Sequence, residues 1–235
     1  MLDFHSHFLP GIDDGADSLD CSLEMLDLYV KQGVDALVAT PHYYDTDETV
    51  NRFLSRRDKA YDKLMFELAK NGKEYPQIVL GAEVALSTDI AKNIDLEKLC
   101  IGQSNAILIE LPYTGYFEWM TYEIYDIISK RKLHPVLAHF ERFCNKKNIS
   151  KFENLLSLDV SVQINADSFL DGRAYKTVKH LVKNNNFDVL GSDAHNITDR
   201  RSNFPGAVKK IQKKYGEEFL SQIDNKARKI IGVNK

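Results

Sequence analysis

A chain of 235 residues can bury roughly 70–75% of the surface its unfolded form exposes, so a core can form without disulfides or obligate oligomerisation. Its 31 Lys+Arg against 34 Asp+Glu leave a net charge of −3, which argues against a nucleic-acid binder resting on a basic field. The 3 cysteines, at 21, 100 and 144, are too widely spaced for a disulfide framework or a thiolate zinc site. The opening Met-Leu-Asp-Phe-His lacks the basic start and apolar stretch of a secretory signal. No apolar run approaches the roughly 18 residues that span a bilayer, so a soluble, cytoplasmic protein with no direct membrane insertion is expected.

In chain order, short apolar runs alternate with longer amphipathic stretches. Leu2–His5 reads as a first strand. Ser18 can cap a helix through Lys31 that stops at Gly33, with Leu23, Leu26 and Val30 on one face. Asp35–Thr40 is a second strand, and a long helix starting at Thr46 or Asp47 runs to Asn71-Gly72. Gln77–Glu83 is a third strand, and 88–100 reads as a short helix or a loop. Then come strand Ala106–Leu111, helix 117–131, strand Pro135–His139, helix 150–157 and strand Val160–Asn165. Helix 168–184, strand Phe187–Ser192 and helices 203–214 and 217–231 complete the pattern. The strands are apolar on consecutive residues, as strands covered on both faces of a parallel sheet are. Seven β–α repeats without a linker-like break predict a single domain over residues 1–235, an α/β, TIM-like (β/α)7 barrel. A doubly wound nucleotide-binding fold is disfavoured, because Gly-x-Gly-x-x-Gly and Gly-x(4)-Gly-Lys-Ser/Thr are both absent.

The active site of a parallel β/α barrel is assembled at the C-terminal ends of its strands. Five of the 7 histidines stand at those predicted ends: His5, His7, His42, His139 and His195. Four carboxylates join them: Asp14 after the first strand, Glu83 on the third, Glu110 on the fourth and Asp193 after the last. His134 begins a strand and His180 lies within a helix. His and carboxylate together form the ligand set of Zn, Mn or Fe, and His5-x-His7 in extended chain points both rings to one side. Asp13, in the turn Gly-Ile-Asp-Asp-Gly, reads either as a ligand or as a turn and helix-capping residue. One tetrahedral site would leave too many of these groups buried without partners. Two or three ions sharing a bridging carboxylate, with Glu83 as the bridge, account for them better.

Several blocks carry a resemblance: Asp-Phe-His-Ser-His at the start, Asp-Asp-Gly at 13–15, Gly-Ala-Glu at 81–83, Ala-His-Phe-Glu-Arg at 138–142 and Ser-Asp-Ala-His-Asn at 192–196. The closing Asn-Lys-Ala-Arg-Lys-Ile-Ile also fits. In this order they resemble the PHP superfamily, and within it the bacterial tyrosine-protein phosphatases of capsule and exopolysaccharide clusters, the CpsB/CapC/YwqE type. That resemblance implies a distorted seven-stranded barrel with a trinuclear centre. It implies one metal site from His5, His7, Glu83 and Asp193, a second from His42, Glu110 and His139, and a third from Asp14, Glu83 and His195. It assigns phosphate binding to Arg142 and Arg200, with the adjacent Arg201 leaving the second assignment open by one. The implied ions are divalent, manganese first, with iron, zinc or cobalt as alternatives. The implied partner is a phosphotyrosine protein, the tyrosine-rich tail of an autokinase. A homo-oligomer is compatible with the sequence.

The chemistry expected of such a site is hydrolysis of phosphotyrosine by metal-activated hydroxide. His42 or a metal-bound water could protonate the leaving group. Cysteine-based catalysis is excluded, because the residues six after each cysteine are Asp27, Ala106 and Ser150, none an arginine. The aromatic run after the fourth strand could stack Tyr116, Phe117 or Trp119 on a phosphotyrosine ring, or simply pack the next helix onto the barrel. The basic stretches 207–214 and 226–235 read as solvated helix faces. Rival readings are a PHP phosphatase for a small phosphomonoester such as histidinol phosphate, a metal-dependent amidohydrolase, and a non-catalytic metal-binding barrel. The amidohydrolase reading is weakened by Glu110 standing where such enzymes commonly carry a lysine or other bridge. Costly buried charge at every strand end weakens the non-catalytic one.

Overall fold

In the computed structural model, residues 1–145 and 148–234 are described. They form nine short strands and eight α-helices. The strands are β1 (Leu2–Ser6), β2 (Ala36–Ala39), β3 (His42–Tyr43), β4 (Gln77–Leu80), β5 (Glu83–Ala85), β6 (Ala106–Glu110), β7 (His134–Leu137), β8 (Ser161–Asn165) and β9 (Val189–Gly191). The helices are α1 (Leu19–Lys31), α2 (Val50–Asn71), α3 (Glu118–Arg131), α4 (Glu153–Leu156), α5 (Ala166–Leu170), α6 (Ala174–Lys183), α7 (Phe204–Tyr215) and α8 (Glu217–Ile231). Every strand pairing is parallel, in the orders β1-β2-β4 and β3-β5-β6-β7-β8-β9.

Nine strands stand where seven are expected because two of the expected ones break. Thr40-Pro41 separates β2 from β3, and Gly81-Ala82 separates β4 from β5. Proline cannot donate to a ladder, yet the chains stay in register: Gly81 N donates to Ala39 O at 2.9 Å and Glu83 N to Pro41 O at 3.0 Å. The sheet curls until its ends meet, where Asp193 N donates to His5 O at 2.8 Å and His7 N to Ala194 O at 2.9 Å. Leu2, Phe4, Val38, Leu108 and Val136 share one buried cluster with Ala227 and Ile231 of α8. Leu37, Ile107, Ile109, Leu137 and Ile164 join the larger cluster beneath the other helices.

Helix ends follow local chemistry. Ser18 caps α1 by accepting from Cys21 N at 3.2 Å. The long helix begins later than Thr46 or Asp47, because Thr49 accepts from Arg52 N at 3.4 Å and residues 44–48 are held as a turn. The expected helix 168–184 is two, since the Asp171 carboxylate accepts from Arg173 N at 2.6 Å and restarts the chain as α6. The 88–100 stretch holds two 3-10 turns, Ile90–Lys92 and Leu96–Leu99. Among the described residues, no helix is long and apolar enough to cross a membrane.

Candidate metal centre

All nine histidines and carboxylates expected at the strand ends come together. Three overlapping groups lie with their ligand atoms within 4.8 Å of one another: His5, His7, Glu83 and Asp193; His42, Glu83 and Glu110; and His7, Asp14, His42 and His195. His139 adjoins the second group, its Nε2 at 2.8 Å from Glu83 Oε1 and 3.5 Å from Glu110 Oε1. Glu83 belongs to two of the groups. The geometry joins Asp14 and His195 to His7 and His42 rather than to Glu83. His134 and His180 stay outside, His134 on Ser161 Oγ at 2.8 Å and His180 on α6.

Local backbone features aim these side chains. The β1–β2 register is irregular between Asp3 and Ser6, around His5, and such irregularities re-aim side chains beside active sites. His139 and Asp193 both adopt positive φ, 29° and 54°, a conformation that non-glycine residues hold only where the surroundings impose it. Gly15 is required because a Cβ there would lie 2.1 Å from His7 O. Gly191 is equally constrained, since its Cβ would meet His5 Cβ at 2.6 Å.

A layer of partners orients the rings. His7 Nδ1 lies 2.7 Å from Asp13 Oδ2, which leaves Nε2 for the cluster. Asp13 also accepts from His42 N and Gly15 N, both at 3.0 Å. His5 Nδ1 lies 3.0 Å from Gln163 Oε1; Gln163 Nε2 donates to Asn165 Oδ1 at 2.8 Å, and Asn165 Nδ2 to Asp193 Oδ2 at 3.1 Å. Such partners fix the tautomer and direction of metal-ligating histidines. Sequence reasoning placed Asp13 in a turn and Asn165 at a strand end without seeing this role, and it passed over Gln163.

The donor set fits divalent cations. Glu83 Oε2, His139 Nδ1 and His195 Nε2 are buried with no hydrogen-bond partner among the described residues. His5 Nε2, His7 Nε2 and His42 Nδ1 converge on that Glu83 oxygen at 3.1, 3.2 and 3.1 Å. Nitrogen and carboxylate donors at this density suit Zn, Mn, Fe or Co. The electrostatics agree. Burial opposes charge on Glu83, but the imidazoles of His5, His139 and His7 hold its carboxyl well below the usual range. Burial likewise opposes charge on His5 and His7, and neighbouring carboxylates still raise both, Glu83 acting on His5 and Asp13 on His7. Without metal the cluster therefore draws protons to supply positive charge that a cation would bring. Burial and the charge of His7 push His195 down to about 4, leaving it a neutral donor. Burial and the neighbouring Glu83 raise Glu110.

Two arginines reach the same carboxylates. Arg142 Nη2 lies 2.6 Å from Asp193 Oδ2, and Arg200 Nη1 lies 2.9 Å from Asp14 Oδ2. Arg201 makes no such contact among the described residues and is exposed. Both arginines border a cavity of about 420 Å³ that also meets His42, Glu110, His139 and Asp193. Its aromatic walls are Tyr44 and Tyr113, with Leu86, Leu111 and Pro112 between them. The residues expected to stack on substrate do not line it. Tyr116 bonds Thr121 Oγ1 at 2.9 Å and packs edge-on against Phe152 at 5.0 Å, and Trp119 packs against the core. Phe117 is exposed at the start of α3. The packing alternative describes Tyr116 and Trp119, while the aromatic side chains facing the cavity are Tyr113, three residues earlier, and Tyr44, just after β3.

A curled parallel α/β fold here gathers histidines, carboxylates and two arginines at the C-terminal ends of its strands, the arrangement of a candidate divalent-metal centre. The chain belongs to the CpsB/CapC family of capsular polysaccharide synthesis, which it matches over residues 1–231. It is 29% identical to the tyrosine-protein phosphatase YwqE of Bacillus subtilis, over 98% of this chain and 91% of that protein. It is 28% identical to the tyrosine-protein phosphatase CpsB of Streptococcus pneumoniae, over 98% of both. A solved structure from work on YwqE and CpsB, described as unique metal-dependent tyrosine phosphatases, superposes with a TM-score of 0.85. It is 25% identical and covers 100% of this chain and 96% of that one.

Proposed function

We propose that this chain is a metal-dependent protein-tyrosine phosphatase of capsular or exopolysaccharide synthesis. One observation carries the reading: Arg142 and Arg200 stand at the rim of an aromatic-walled cavity, each against a carboxylate of the histidine cluster. The guanidiniums offer planar, paired donors to a phosphate dianion. Tyr44 and Tyr113 offer aromatic walls to a phenyl ring, and the tyrosyl leaving group, with a pKa near 10, needs little help from an acid. His5, His7, Asp14, His42, Glu83, Glu110, His139, Asp193 and His195 would hold two or three divalent ions, manganese the expected one. Such ions acidify water to a pKa of about 7 and so provide a nucleophile at neutral pH. The nine strands then read as seven staves of one barrel domain, with β2–β3 and β4–β5 each one stave. The family resemblance makes the tyrosine-rich tail of an autokinase the proposed protein substrate.

The test is hydrolysis of a phosphotyrosine peptide against histidinol phosphate, in Mn²⁺ and after chelation. Mn²⁺-dependent release from the peptide alone is expected. Turnover of histidinol phosphate instead would keep the site and overturn the substrate. Arg142→Ala should lower kcat/KM by about a hundredfold with metal content unchanged; full activity would remove Arg142 from phosphate binding.

A further inference from the structure

Helices α6 and α7 carry seven lysines, three on the first (Lys176, Lys179, Lys183) and four on the second (at 209, 210, 213 and 214), and not one aspartate or glutamate. Several lysines elsewhere are neutralised locally: Lys70 by Glu67, Lys92 by Asp89, Lys98 by Asp95 and Lys130 by Asp126. Among the described residues none of the seven has such a partner. Glu217 and Glu218 open the next helix without pairing to Lys213 or Lys214. In a chain of net charge −3 this is a local inversion of sign, and like charges on adjacent helices repel unless something outside the fold neutralises them.

The two helices flank a groove of about 630 Å³ between Lys176, Lys179 and Lys183 on one side and Lys214 and Tyr215 on the other. Tyr175 on α6 is not a lining residue, but the Lys210 ammonium lies 4.2 Å and that of Lys179 5.5 Å from its ring centre, which ties α7 to α6 and holds two of the cations in place. We propose that this groove binds an acidic segment of another polypeptide. At about 1.5 Å per helical residue and 3.3 Å per extended one, the Lys176–Lys183 wall matches an extended run of about three residues. The concave shape disfavours a flat bilayer, and no large hydrophobic side chain is exposed on either helix to enter one. The proposal stands apart from the metal cluster and does not depend on the phosphatase reading.

The experiment is fluorescence anisotropy of a labelled hexaglutamate peptide on the metal-loaded full chain, with wild type compared to Lys179→Glu/Lys183→Glu/Lys214→Glu. A second triple variant to Gln guards against misfolding of the first. The expected result is binding that weakens as salt rises, a Kd raised at least about tenfold in the Glu variant and less in the Gln variant. Hydrolysis of para-nitrophenyl phosphate, which carries no acidic segment for the groove to hold, should be unchanged. Equal affinity in wild type and both variants would overturn the proposal. So would failure of the wild type to bind the peptide at low salt, or binding only to vesicles containing phosphatidylserine.

Discussion

The two ends of β1 hold buried charge in opposite ways. At its start, Asp224 accepts from Leu2 N at 2.8 Å and from Arg228 Nε at 3.1 Å; Arg228 also donates to Asn234 O at 3.2 Å and pairs with Asp35, which meets the N-terminal amine at 3.2 Å. Both charges are buried, and each is answered by another part of the chain. Past the other end, Glu83, His139 and His195 each keep a buried atom with no hydrogen bond among the described residues, Glu83 Oε2 standing among three imidazole nitrogens at 3.1–3.2 Å. Charge that serves the fold closes on itself, since an unanswered buried charge is destabilising. Charge that serves a ligand is left open, and the protein accepts that instability until the ligand arrives.

The largest test breaks the open end. Asp193→Asn or His139→Ala should reduce turnover of a phosphotyrosine peptide to background while the metal-free protein unfolds at nearly its original temperature. A large loss of stability in the metal-free state would mean that these groups serve the fold as well.

The closed end should behave in reverse. Removing one member of a buried ion pair strands the other, so Arg228→Ala should cost about 3–5 kcal/mol in denaturant titration. Turnover per folded molecule should stay at the wild-type value. If activity fell with stability intact, α8 would be acting on the site rather than tying down the start of β1.

How much of this was legible in the sequence follows from the same division. The convergence of the nine side chains could be read because strand ends can be placed from apolar runs and barrel chemistry gathers at those ends. Ser18 was legible as a cap because hydroxyl capping is local. The breaks at Pro41 and Gly81 were not placed, because the two segments stay paired in register across them and only local ladder bonds are lost. Asp171 hid inside a helical pattern for the same reason: its side chain, not its neighbours' polarity, restarts the helix. Asp13, Gln163 and Asn165 act through bonds between residues far apart in sequence, to which periodicity is blind. The cavity walls went to Tyr44 and Tyr113 rather than Tyr116 and Trp119 because loop side-chain direction is not encoded by spacing.

Asp3 falls between the two kinds of buried charge and sharpens the distinction. Its Oδ1 accepts from Ser192 N at 2.7 Å, while Oδ2 has no partner. Burial lifts its carboxyl to about 6, against the bonds from Ser192 that lower it. The unfolded chain releases that proton near pH 4. The folded chain therefore holds a proton that the unfolded one has lost, and this group withdraws stability as pH rises from about 4 to about 6, by about 3 kcal/mol in all. Asp3→Asn keeps the Oδ1 acceptor and removes the titration. The stability of metal-free wild type relative to the variant should fall over that window, and parallel pH profiles would count against it.

The smallest effect tests whether a closed residue can serve the open end. Asp13 is fully engaged by His7, His42 and Gly15, yet it takes no place in the three ligand groups. Its work is to hold His7 so that Nε2 faces the cluster. Asp13→Ala should weaken metal affinity by about ten- to a hundredfold, with turnover largely restored by excess metal. Asp13→Asn, which can still accept from His7 Nδ1–H, should lose less. If excess metal failed to restore turnover, Asp13 would belong with the open groups, and the division drawn at the two ends of β1 would have to be moved by one residue.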